Sequence, residues 1–130
     1  MGLFGFGRKR ESERSQASSA PQIDEAVIRQ KIDGLKQEVM GLEGTAAAAV
    51  FDAMGADYEL IGDVDGAIEA YESSLDAHRT MGKASAALVK LYNAKRAQAA
   101  RDRDDDAIKY YLDKVNEMLS ISKDSLRGRV

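Results

Sequence analysis

The sequence contains no cysteine, no tryptophan, a single proline (Pro21) and a single histidine (His78). Without cysteine there can be no disulfide framework and no thiolate metal site, which fits a reducing compartment, so a cytoplasmic location is expected. His78 has no second histidine and no cysteine with which to complete a metal site or a nucleophile–base pair, and reads as a polar residue at a helix end. No apolar run approaches the roughly 20 residues that span a bilayer. A secretory signal places basic residues before a long apolar stretch. Here Leu3, Phe4 and Phe6 precede Arg8, Lys9 and Arg10, the reverse order. The net charge of −3 is too small to create a field that would draw in nucleic acid, and no nucleic-acid partner is expected.

What remains is 44% apolar and 32% charged, with alanine prominent: the balance of a soluble helical domain. Residues 1–22 combine glycines, mixed charge and Ser15-Gln16-Ala17-Ser18-Ser19-Ala20-Pro21, a composition that buries too little surface to offset ordering entropy, so a disordered tail is expected. Its phenylalanines and cations could make weak contact with an anionic membrane surface, each cation contributing about 1 kcal/mol. Phe6 stands where a myristoylation signal needs Ser or Thr. The early glycines lack the preceding strand and the Gly-Lys-Ser/Thr of a phosphate loop.

Five helices are predicted in residues 23–122, with residues 123–130 frayed. In the first, Ile28, Ile32, Leu35, Val39 and Leu42 recur at four, three, four and three residues, one helical stripe capped by Asp24 and stopped at Gly41 or Gly44. The stripe also suits a self-associating coiled coil, but it is only about two heptads long and contains Gly34. Thr45 caps a second helix that reaches Ile61, where Gly62-Asp63 breaks it. A third runs from Asp63 or Asp65 to Met81-Gly82, with Ala67, Ile68, Tyr71 and Leu75 on one face. The fourth covers Ala84 to Arg101, and the fifth carries Ile108, Tyr111, Leu112, Val115, Met118 and Leu119 behind an acidic first turn at Asp104, Asp105 and Asp106. Short turns make consecutive helices antiparallel.

Phe51, Met54-Gly55, Tyr58, Gly62, Ala67, Tyr71 and Leu75 stand at the spacing of the tetratricopeptide repeat, and residues 48–81 resemble one such unit. Ser74 departs from its usual alanine and Arg79 from its usual proline. A second, degenerate unit over residues 84–120 aligns Ala107, Tyr111 and Val115 with Ala67, Tyr71 and Leu75. There Lys95 and Gln98 replace Gly55 and Tyr58, and the two alanines are 40 residues apart instead of about 34.

The resemblance implies an all-α short solenoid of antiparallel hairpins with an added N-terminal helix, and a concave groove that grips a peptide or helix of another protein. By position that groove would be lined by Asp52, Ala56 and Glu59 on the second helix and by Tyr92, Asn93 and Arg96 on the fourth. Asp52 and Glu59 argue for a basic or mixed-charge ligand. No cofactor and no enzymatic activity are expected. A homo-oligomer formed through the first helix is the structural alternative, since solenoids generally need three or more repeats.

Asp63, Asp65, Gly66, Ile68 and Glu72 also match part of a calcium-binding loop, but its first position is Ile61, which offers no side-chain oxygen. Helix capping by Asp63 and Asp65 is the plainer reading.

Overall fold

Asp24 caps the first helix as predicted: its Oδ1 accepts hydrogen bonds from the backbone N–H of Ala26 at 3.0 Å and of Val27 at 3.4 Å. The computed structural model describes residues 23–126. The predicted tail, with its membrane-surface reading, and residues 127–130 lie outside the described residues. Five helices follow in order: α1 Glu25–Val39, α2 Gly44–Leu60, α3 Val64–Ala77, α4 Lys83–Arg101 and α5 Asp105–Leu126. No strand occurs among the described residues, and none of these helices is long and apolar enough to cross a membrane.

The stripe of α1 is used inside the fold. Ile32 is 2% exposed, and Leu35 and Val39 pack against Val50 and Met54 of α2 and Ala70 of α3. Ile32, Leu35 and Val39 of this stripe are therefore turned into the fold, while Leu42 stays exposed.

Helices α2 and α3 form an antiparallel hairpin, visible in three rungs. Near its open end the Ser74 hydroxyl donates to the Ala48 carbonyl at 3.2 Å. In the middle, a Cβ added to Gly55 would lie 2.6 Å from the Tyr71 ring. Near the turn, a Cβ added to Gly66 would lie 2.6 Å from the Tyr58 ring. Each helix thus presents a glycine to a tyrosine of the other, which brings the backbones close together. The sequence pattern identifies Gly55 but assigns the second small position to Ala67, which is fully buried beside Gly66. Ser74 has a reason to replace alanine, because its hydroxyl finds a buried acceptor.

Both hairpin turns share one geometry. After α2, Asp63 N–H bonds the Tyr58 carbonyl and Gly62 N–H bonds the Glu59 carbonyl, with Gly62 at φ +75°. After α4, Asp104 N–H bonds the Ala99 carbonyl and Arg103 N–H the Ala100 carbonyl, with Arg103 at φ +58°. These paired bonds are Schellman caps, which satisfy the last carbonyls of a helix and reverse the chain.

Three boundaries differ from expectation. Helix α2 starts at Gly44, and Glu43 occupies the cap position instead of Thr45, without a side-chain bond. Helix α3 stops at Ala77, short of the predicted Met81-Gly82. Leu75 is its last core residue, and the next positions on that face, His78 and Arg79, are exposed, so further turns would bury nothing. Gly82 instead precedes α4, where its N–H donates to the Ser85 hydroxyl at 2.9 Å. Helix α5 continues to Leu126, four residues past the predicted end.

The main core gathers Ala67, Tyr71 and Leu75 from α3, Leu88 and Tyr92 from α4, and Met118 from α5. Tyr71, Tyr92 and Leu88 are the largest fully buried side chains.

Candidate functional site

Two helices of parallel direction, α2 and α4, face each other across the top of α3, and charge decides how they meet. Asp52, Ala56 and Glu59 occupy one face of α2 at spacings of four and three. Lys83 and Lys90 stand seven residues apart on α4, the same interval that separates Asp52 from Glu59. The Lys90 ammonium donates to Glu59 Oε1 at 2.6 Å, and the Tyr71 hydroxyl donates to Glu59 Oε2 at 2.7 Å. Burial alone would raise the Glu59 pKa, but the hydrogen bonds from Lys90 and Tyr71 and the charges of Lys90 and Lys83 hold it below its ordinary value. Tyr71 is shifted strongly upward, first by burial and then by the carboxylate it serves.

At the other end of this face Asp52 enters a cleft of about 190 Å³ between the start of α2, the end of α3 and the start of α4. Thr45, His78, Thr80 and Lys83 share its lining. Asp52 Oδ1 is buried and accepts no hydrogen bond, an orphaned acceptor beside a cleft whose walls mix polar and apolar residues. A carboxylate oxygen can be satisfied only by a donor, so the chemistry of this cleft suits an ammonium, guanidinium or amide N–H.

The triad of carboxylate, tyrosine and lysine recurs one helix further along. Tyr92 of α4 donates to Glu72 Oε2 on α3, and the Lys114 ammonium of α5 lies 3.9 Å from the same oxygen. Burial first, then Glu72, pushes the Tyr92 hydroxyl far above its usual range. Lys114 also pairs with Glu117 at 3.3 Å and stands over the Tyr92 ring at 5.7 Å. A larger cleft of about 250 Å³ adjoins this second triad. Its charges face one another, so it offers a ligand less than the Asp52 cleft does.

The structure brings Asp52, Ala56 and Glu59 to one surface and sorts the three positions named on α4. Tyr92 is 1% exposed and belongs to the core, so it presents no surface to a partner. Asn93 and Arg96 are half-buried, and Arg96 Nε donates to Asn93 Oδ1 at 3.4 Å. Sequence reasoning missed Lys83 and Lys90. Their seven-residue spacing, opposite in charge to Asp52 and Glu59, was the signal that could have found them.

Among the repeat positions, Met54, Gly55, Ala67, Tyr71 and Leu75 are buried, while Phe51, Tyr58, Ala107, Tyr111 and Val115 are half-buried and Gly62 is exposed in its turn. The carboxylates of the possible calcium loop have other tasks. Asp63 Oδ1 accepts from Gly66 N–H at 2.9 Å, Asp65 pairs with Lys95 at 2.9 Å, and Glu72 holds Tyr92. Among the described residues no three histidine or acidic side chains converge to hold a metal ion. Comparison with protein-family models, curated proteins and solved structures finds no match to this chain.

Proposed function

We propose that the protein is a tetratricopeptide-like interaction module, without catalytic activity of its own, that binds a basic segment of a partner protein along the α2–α4 face. The reading rests chiefly on Asp52, which lines the cleft and whose Oδ1 is buried without a donor. A lysine or arginine of an incoming peptide would supply that donor. Glu59, held by Lys90 and Tyr71, fixes α2 against α4 beside the cleft. The packing of Gly55 on Tyr71 and the Schellman turn at Gly62 support the repeat resemblance, since both place the residues of that pattern where a close hairpin needs them.

Fluorescence anisotropy with labelled peptide pools tests the proposal. Lysine- and arginine-rich peptides should bind, and acidic pools of equal length should not. Asp52→Asn keeps the shape of the side chain but removes its charge, and should weaken binding by about tenfold or more, as expected for a charge-assisted hydrogen bond. Equal binding of acidic pools, or indifference to Asp52→Asn, would remove the basis of the reading.

A further inference from the structure

We infer that the protein pairs with a second copy of itself through a side face of α5 that borders the core, in antiparallel register about a two-fold axis. Along that face stand Asp104, Ile108, Leu112, Val115, Leu119 and Lys123, at spacings of four, four, three, four and four residues. The spacing reads the same from either end, and the charges at its ends are opposite. When the helix is laid against a reversed copy, Ile108 meets Leu119, Leu112 meets Val115, and Asp104 meets Lys123, each pair occurring twice. An isologous interface requires this self-complementarity.

The face is open in the monomer. Leu112 is 44% exposed and Leu119 51% exposed, while Ile108 is half-buried and Val115 packs on its inner side against the main core. Asp104 and Lys123 are both exposed, and Asp104 Oδ1 also caps α5 by accepting from Ala107 N–H at 3.0 Å. At one end the stripe borders an apolar groove of about 420 Å³, lined by Met81, Ala86 and Val89 near the start of α4 and by Met118 and Leu119 on α5. In the reversed register Ile108 of the second copy arrives at Leu119, beside this groove, and can fill it. From Asp104 to Lys123 the contact would run about 28 Å at 1.5 Å per residue. Two α4–α5 hairpins joined in this way form a four-helix arrangement of ordinary kind.

The opposite end of the helical stack does not compete. Large apolar residues are exposed only at the two ends of α1, Ile23 and Val27 at its start and Met40 and Leu42 after it, and between them Arg29, Gln30, Asp33 and Gln37 face outward. Head-to-tail stacking of α5 on α1 would bury those groups without partners, whereas two-fold pairing buries apolar on apolar.

The absence of native cysteine makes the register directly testable in the full chain. Ile108→Cys and Leu119→Cys are prepared separately, mixed in equal amounts and mildly oxidised. The mixed disulfide should dominate over either homodimer, and a Leu112→Cys with Val115→Cys mixture should behave alike. Tyr110→Cys, on an exposed residue off the stripe, should cross-link much less. Sedimentation of the unmodified protein across the micromolar range should show a dimer, and Leu112→Lys/Leu119→Lys should shift it to monomer by at least tenfold in dissociation constant with unchanged helical circular dichroism. A monomer throughout that range overturns the inference. So does cross-linking of the Tyr110→Cys variant equal to that at the stripe, or capture of another protein on α5 with no self-pairing.

Discussion

The Tyr71 ring lies against the backbone of Gly55, its Cζ 2.6 Å from where a Cβ of residue 55 would stand. Tyr71 is 1% exposed and its hydroxyl is held by Glu59, so the ring has little room to retreat. Alanine at 55 would gain up to about 1 kcal/mol of helix propensity, while overpacking of a tight contact costs about 1–3 kcal/mol. Gly55→Ala should therefore destabilise, read as a lower urea midpoint at unchanged slope.

Gly34 provides the opposite case. It lies within α1, and an added Cβ would meet nothing within 4 Å. Gly34→Ala should stabilise by up to about 1 kcal/mol, measured in the same urea titration. A loss of stability there would show that α1 is held differently from the description above.

The two turns make a matched pair of predictions. Gly62 adopts its left-handed conformation without a Cβ, whereas Arg103 adopts the same region with one, at about 1–2 kcal/mol of steric penalty. Arg103→Gly should raise the melting temperature, and Gly62→Ala should lower it by a similar amount. Calorimetry on the two variants decides the matter, since neither position carries a core side chain.

Helix α1 is part of the fold instead of an appendage. Ile32→Ala removes a side chain that is 2% exposed and should cost about 2–5 kcal/mol. If the variant melts like the parent, α1 contributes nothing to global stability.

Alkaline pH should unfold the protein through its buried tyrosines. The pKa values of Tyr71 and Tyr92 are raised in the folded state, so both groups hold their protons more tightly folded than unfolded. Their contribution is intact below the unfolded tyrosine pKa of about 10 and is lost progressively as pH rises toward the folded values. Glu59 works at the other end of the scale: its lowered pKa favours the folded state above the ordinary carboxylate range, and that contribution fades as pH falls through the folded value. Thermal melts from neutral pH to above about pH 10 should show the alkaline loss, and Tyr71→Phe/Tyr92→Phe should flatten it.

Much of the first hairpin was legible because its signals are local and strong. Asp24 and Asp63 are sequence-adjacent caps, Gly62 marks a turn, and the α1 stripe has clear period. The second hairpin was harder. Helix α4 buries Ala84, Ser85, Leu88, Leu91, Tyr92 and Ala99 on one face, but Ala84, Ser85 and Ala99 are small and give that face little hydrophobic signal in the sequence. Counting 40 residues from Ala67 to Ala107 places Lys95 opposite Tyr111, as the short turn requires. Counting 34 from Met54 and Tyr58 lands on Leu88 and Tyr92, which are 0% and 1% exposed. The two registers cannot both hold in one helix pair, and only the packing of Tyr92 under Glu72 shows which face turns inward. On the candidate surface, Asp52 and Glu59 were named from the repeat resemblance by position, but Lys90 became visible only when Glu59 was seen to face it.

The repeated triads have a consequence for how the molecule comes apart. A stack of helices joined only to nearest neighbours can lose an end unit while the remainder stays folded. Here Glu59, Tyr71 and Lys90 bind α2, α3 and α4 at one point, and Glu72, Tyr92 and Lys114 bind α3, α4 and α5 at the next. Each link reaches past its neighbour to the helix after it. Detaching α5 therefore disturbs Tyr92 and Glu72 in the middle of the stack, and the amides of α3 and α4 should exchange with solvent as one cooperative unit rather than peel away in sequence.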